Sequence, residues 1–232
     1  RIPNNKNQSL VSNYSMEFNG TNTKIDLGSE VLFDSTKGFS ISAWVNLASY
    51  SPGYPNIVKL FTDQSDDFIL SLSNQSGYTG VIFGSPSQFA RGRTSGDISG
   101  DFIGVWKHVC LTFDGANRTA LSSYKIYVDG SSVALVSANT VGAGTSLNSI
   151  GAGGFSNRFF NGKIDQVSIF DYELSASQVA TLYGGGTAVT NPMVLNPKPI
   201  SYYQLGDQSV DNGANYLVPN NSLQDYVFDF PT

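Results

Sequence analysis

The stretch GFSISAWVNL, residues 38–47, decides the fold. Its apolar residues fall at every second position. Phe39, Ile41, Ala43, Val45 and Leu47 share one face, and Ser40, Ser42, Trp44 and Asn46 take the other. Period two marks a strand with one face turned to a core. The same alternation recurs outward along the chain, in DFILSLS (67–73), GVIF (80–83), WKHVCLTF (106–113), YKIYVDG (124–130) and KIDQVSIF (163–170). β-branched and aromatic side chains fill these runs, as a pleated, half-buried surface requires. Asp129-Gly130 is a hairpin signal, and Asp114-Gly115 marks another turn. Many short strands separated by Gly, Asn and Ser turns predict an all-β protein built as a two-sheet antiparallel sandwich.

One helix interrupts the pattern. Ser175 is placed to cap it, and Gln178, three residues on, completes a capping box. Val179, Leu182 and Tyr183 give an apolar stripe, and the run Gly184-Gly185-Gly186 ends it. The following TAVTNPMVLNPKPI is rich in proline and reads as an extended linker. The main boundary is therefore expected near residue 186: a lead-in over 1–13, the sandwich over 14–186, and a linker with an extended tail over 187–232. Within the tail, VPNNSLQDYVFDF (218–230) echoes the opening IPNNKNQSLVSNYSMEF (2–18). Two arrangements fit that echo. The chain is a piece of a tandem array, or the tail is a strand that pairs with another subunit.

Composition narrows the function classes. Of 232 residues, 40% are hydrophobic and only 13% charged, so Ser, Asn, Thr and Gly must carry solubility. That balance suits an extracellular or virion-surface location. The net charge of −5 and the lack of basic runs argue against nucleic-acid binding. No apolar run is long enough for a membrane helix. The chain opens on Arg1, which reads as a processed product or part of a longer polypeptide. Cys110 and His108 are the single cysteine and single histidine; they share a strand and read as packed residues, too few for a zinc site.

Five motifs, in order, carry a family resemblance: SMEFNGTNTKIDLG, GFSISAWVNL, WKHVCLTFDG, KIYVDG and FFNGKIDQVSIFDYELSASQVATLY. Together they resemble a laminin-G-like jellyroll of the concanavalin A-like lectin/glucanase superfamily. The resemblance covers residues 14 to 186 and implies a jellyroll sandwich, but it fixes no activity, because the fold hosts many functions. The tail ISYYQLGDQSVDNGANYLVPNNSLQDYVFDF is similar to lead-ins of such domains in marine bacteriophage proteins, which implies a virion component. The resemblance also implies a structural calcium ion at the sandwich edge. Asp165 stands at the family's metal position, Asn19 replaces a common Asp, and carbonyls near Thr21 and Gly38 would complete the shell. The alternative is that Asp165 caps a loop by accepting backbone N–H bonds.

An enzymatic reading finds little support. The three glutamates, Glu17, Glu30 and Glu173, form no Glu-x-Asp-x-x-Glu cluster of the β-glucanase type. The candidate ligand residues lie on three loops that mix aromatic rings with amides and Arg: Tyr50 and Tyr54; Gln88, Arg91 and Arg93; Asn157 and Arg158. Arg in such a setting can fork onto a carboxylate or sulfate of an acidic glycan. Trp44 and Trp106 are expected to pack. The sequence thus points to a non-catalytic module that binds a cell-surface glycan. The alternatives are a structural subunit contacting its virion neighbours in a larger oligomer, and a glycan-active hydrolase or lyase.

Overall fold

The computed structural model describes residues 14–28, 34, 36–50, 54–62, 67–75, 78–96, 102–138, 148–153, 158–186, 190–206, 210–211, 216–218, 220 and 222. Its strands are β1 (Met16–Asn19), β2 (Ile25–Gly28), β3 (Phe39–Leu47), β4 (Asn56–Phe61), β5 (Asp67–Gln75), β6 (Tyr78–Gly84), β7 (Gly92–Thr94) and β8 (Trp106–Phe113). They continue with β9 (Tyr124–Val128), β10 (Ser131–Val133), β11 (Leu135–Ser137), β12 (Asn148–Ile150) and β13 (Asn161–Phe170). The helix α1 (Ala176–Tyr183) follows, then β14 (Ser201–Tyr203), β15 (Val210–Asp211) and β16 (Tyr216–Leu217).

Two antiparallel sheets of seven strands make the sandwich. The first runs β1-β13-β3-β8-β9-β10, with β14 also on β13. The second runs β11-β7-β6-β5-β4-β12-β2. The alternation of the opening stretch is obeyed: Phe39, Ile41, Ala43, Val45 and Leu47 are all fully buried between the sheets. From the second sheet Phe68, Leu70, Leu72, Val81 and Phe83 meet them. Phe39 and Phe68 touch edge to face at 5.2 Å, a favoured aromatic geometry. Burial of this apolar face against its counterpart is the main driving force of the fold. The Asp129-Gly130 hairpin joins β9 to β10 with both residues at positive φ, 50° and 74°, as its turn type demands.

The outer face of the first sheet is covered as well. α1 lies on it, with Val179 and Leu182 packed against Cys110, Tyr127, Phe170 and Leu174. The capping box is formed: the Ser175 N–H donates to Gln178 Oε1 at 2.9 Å, and the Gln178 N–H donates to Ser175 Oγ at 3.3 Å. Gly184, at φ 61°, closes the helix in the left-handed region.

The chain does not leave the sandwich at residue 186, where the proline-rich stretch was expected to begin a linker. Leu195 joins the helix cluster. β14 then runs antiparallel to β13, pairing Ser201 with Ile169 and Tyr203 with Val167. So β1 and β14 share one edge of β13, β1 along its first half and β14 along its second. The proline content limits helix and strand length but does not prevent packing. Asn220 and Ser222 trim the free edge of β14: Asn220 Oδ1 accepts the Tyr202 N–H at 2.8 Å, and Ser222 Oγ donates to the Ile200 carbonyl at 2.8 Å. Residues 1–13 and 223–232, which carry most of the echoed motif, lie outside the described residues.

Candidate functional site

The outer face of the second sheet is polar but covered: Asn56, Lys59, Asp67, Ser71 and Ser149 are all buried. Strand register sets it out in rungs. Arg93 lies opposite Ile82, Ile82 opposite Ser71, and Ser71 opposite Asn56. On the next rung Ile69 lies opposite Lys59, Lys59 opposite Ser149, and Ser149 opposite Asp26. Phe68, Leu70 and Leu72 point into the core, so their neighbours Asp67, Ile69, Ser71 and Ser73 face outward.

Two of the expected loop residues meet over this face. The Arg158 guanidinium stands 4.9 Å from the centre of the Tyr54 ring, a cation–π contact. Both side chains are half-buried. Tyr54 rests on Ile69 and Ile82. The strap holding Arg158 is fixed by backbone bonds, Asn56 N–H to the Arg158 carbonyl at 3.4 Å and Phe160 N–H to the Gly151 carbonyl at 2.8 Å. Burial pushes the Arg158 pKa below its ordinary value, and Tyr54 opposes that shift.

Asn56 lies beneath the pair and is fully buried. Its Oδ1 accepts from Ser71 Oγ, while its Nδ2 has no hydrogen-bond partner. Glycine at 153 leaves room for the Asn56 amide, which a Cβ there would strike. On the neighbouring rung Lys59 and Asp67 form an ion pair at 3.7 Å, both almost inaccessible. Burial lowers the Lys59 pKa, and the Asp67 charge partly restores it. Lys24 and Asp26 pair at 2.8 Å nearer the surface.

The remaining expected ligand residues do not converge on this pair. Tyr50 is a correction: it is buried in the core cluster, because its apolar ring fills the end of the sandwich instead of a loop surface. Gln88 is half-buried in the turn after β6, its N–H donating to Ser85 Oγ at 3.0 Å. Arg91 is exposed on the strap before β7. Arg93 shares the outer face but sits three strands from Asn56 along its rung. Asn157 lies outside the described residues.

The expected calcium ligands are dispersed. Asn19 pairs with Asn161 at the start of β13, Asp165 pairs with Trp44 in its middle, and Gly38 precedes the Ser40–Phe170 pair at its end. The two ends of β13 are separated by about 30 Å at strand rise. Asn19 Oδ1 already accepts from the N–H groups of Thr21, Asn22 and Thr23 at 2.9, 3.0 and 3.2 Å. The Asp165 Oδ1 accepts the Gln166 N–H at 2.8 Å, at the register shift within β13. Gly38 is glycine for packing: a Cβ would meet Glu173 N at 2.8 Å and the Phe113 carbonyl at 2.9 Å. These four residues do not fit one calcium ion, which needs six to eight oxygens around a single point. Among the described residues no group of three or more His, Cys, Asp or Glu side chains could hold a metal.

The family model described as the concanavalin A-like lectin/glucanases superfamily matches residues 19–180. The chain belongs to this family. No curated protein matches it. Among solved structures it is similar to a putative carbohydrate-binding protein from Bacteroides ovatus, with 17% identity and a TM-score of 0.60. That match covers 89% of this chain and 59% of the Bacteroides chain, so this protein spans about three-fifths of that relative. It is also similar to a heptameric SAP-like pentraxin from Limulus polyphemus, with 16% identity and a TM-score of 0.53 over 89% of this chain and 91% of that one. At such identities the likeness establishes the concanavalin A-like fold alone.

Sequence reasoning missed two features. Asn56 opens a nearly continuous apolar strand, NIVKLF, so its amide gave no separate signal. Trp106 was expected to pack, yet 38% of its surface is exposed. Its place as the first residue of β8, directly after a loop, was the available clue.

Proposed function

We propose that this chain is a non-catalytic glycan-binding module, and that the Tyr54–Arg158 pair on the outer face of the second sheet is its contact surface. The observation that carries the reading is the 4.9 Å stack, which holds an aromatic face and a guanidinium together at a half-buried position. The guanidinium covers the Tyr54 ring face and Ile69 and Ile82 lie against the same side chain, so the ring's part is to hold the guanidinium in place. A guanidinium already oriented by stacking loses little freedom when it forks onto a carboxylate or sulfate. Acidic glycans are therefore the favoured class. The carbohydrate-binding description of the Bacteroides ovatus relative supports the same reading.

A hydrolase is the competing reading. Retaining glycosidases place two carboxyl groups about 5 Å apart. On this face the described carboxylates Asp26 and Asp67 are each engaged by a lysine, at 2.8 and 3.7 Å. That pairing disfavours acid–base work and supports the binding module. A virion setting, in a fibre or decoration protein, is the finer reading; it rests on the lead-in-like tail. A glycan array run on the wild type and on Arg158→Ala tests the proposal. Binding of acidic glycans that the variant loses supports it. An unchanged profile in the folded variant overturns it.

A further inference from the structure

The helix-bearing face holds a second constellation, one rung beyond the end of α1. Strand register aligns four side chains across four strands: Glu17 lies opposite Lys163, Lys163 opposite Asn46, and Asn46 opposite Trp106. Their neighbours Phe18, Val45, Leu47 and Ile164 are core residues, as is Val109 three positions beyond Trp106, so this row points outward. α1 stops short of it. Its last residue, Tyr183, stacks on Trp44, which belongs to the adjacent rung, and Gly184 then turns the chain away. The row is left open: Glu17, Lys163 and Trp106 are exposed and Asn46 is half-buried.

None of the four side chains forms a hydrogen bond or ion pair with another described residue. The contrast with Asn19, farther along the same edge strand, is sharp, since its amide oxygen is taken by three backbone N–H groups. The row also has a wall. Phe102 is anchored in the core, its carbonyl accepting the Leu47 N–H at 3.1 Å, and Gly104 N–H donates to the Leu47 carbonyl at 2.8 Å. That pinned loop presents Ile103 and Val105, 53% and 48% exposed, next to Trp106.

We propose that this row is a second saccharide site, for a neutral, hydroxyl-rich oligosaccharide, separate from the Tyr54–Arg158 face and independent of it. The exposed indole supplies a stacking platform. Asn46 offers a donor and an acceptor, Lys163 donors and Glu17 acceptors, at strand spacings of about 4.8 Å. The row spans about 14 Å, enough for a short oligosaccharide and too long for one ring. Lys163 and Glu17 stand directly opposite each other, so their charges cancel locally. That removes the advantage an anionic ligand would gain from the lysine and favours a neutral one. Ile103 and Val105, exposed and next to Trp106 in the chain, add apolar surface at the indole end of the row.

The chain has two tryptophans, Trp44 buried and Trp106 exposed, so fluorescence reports on this site. The experiment titrates the protein with a panel of neutral oligosaccharides and, separately, of sialylated and sulfated ones. It reads tryptophan emission and calorimetric affinity for the wild type, Trp106→Ala, Asn46→Ala and Arg158→Ala, each checked for folding by circular dichroism. The expected result is a blue shift with a neutral oligosaccharide, and affinity at least about tenfold weaker in Trp106→Ala, as for an anchoring aromatic. Arg158→Ala should leave neutral binding unchanged; loss of acidic binding in that variant bears only on the other face. The proposal is overturned if no neutral oligosaccharide binds the folded wild type, or if Trp106→Ala binds one equally well. It is also overturned if sedimentation shows self-association that Trp106→Ala abolishes while no sugar binds, since the row would then be a contact between copies of the chain.

Discussion

Tyr183 stacks on Trp44 with ring centres 5.8 Å apart and planes inclined by 21°. The contact ties the last residue of α1 to the middle of β3, and His108 lies against the same indole at 5.4 Å. An eight-residue helix is too short to hold itself in water, so its persistence depends on such tertiary contacts. Tyr183→Ala should therefore cost about 1–2 kcal/mol, the stacking energy plus part of the lost burial. That lowers the melting temperature by about 3–6 °C for a domain of this size. Tyr183→Phe should stay near wild type by calorimetry. A large loss in the Phe variant would show that the hydroxyl, not the stack, secures the helix.

His108 predicts a pH dependence. The imidazole is buried under Trp44 and Tyr183, its Nε2 bonded to Ser42 Oγ at 2.8 Å. Burial pushes its pKa down from 6.5 to about 4, against a smaller opposing pull from Asp129. The unfolded chain therefore binds a proton more readily than the folded one between these values. Stability from this group is complete above pH 6.5 and declines as pH falls towards 4, by up to about 3 kcal/mol. Urea midpoints measured from pH 7 to pH 5 should fall in the wild type and remain nearly level in His108→Gln. Equal slopes in both would remove His108 as the cause.

The segment after residue 186 is structural. Tyr203 and Leu205 belong to the main core cluster, and Leu195 to the cluster under α1. Tyr203→Ala should destabilise by about 3–5 kcal/mol, as for other large aromatic truncations in cores. Ending the chain at 186 should expose the edge of β13 at Val167–Ile169 and yield aggregated or unfolded protein. Soluble, cooperatively unfolding protein from that truncation would make β14 an accessory strand.

Some features were legible in the sequence for physical reasons and others were not. The inward face of β3 follows from alternation alone, since period two admits one solution once a face is buried. The helix limits follow from Ser175, Gln178 and Gly184, whose capping chemistry is local. Burial of Ser40 and Ser42 on the opposite face was not legible, because it depends on where α1 docks. Tyr50 misleads for a similar reason: a tyrosine in a loop-like run gives no sign that the run folds inward. At the candidate site, Tyr54 and Arg158 were visible as residue types but not as partners. About a hundred residues separate them, and only the pairing of Asn56 with the strap at Arg158 brings them together.

A planar guanidinium can lie over a ring and still present N–H donors outward. Arg158→Lys keeps the charge but has neither the plane nor the fork. If the guanidinium reads a carboxylate or sulfate, Arg158→Lys should weaken binding of acidic glycans by about tenfold, a loss of bidentate geometry. Tyr54→Phe keeps the ring and should bind within a few-fold of the wild type, whereas Tyr54→Ala should resemble Arg158→Lys. Affinities by calorimetry at two salt concentrations separate geometry from charge. A lysine variant that binds as tightly as the wild type, with the same salt dependence, would reduce the site to a simple electrostatic contact.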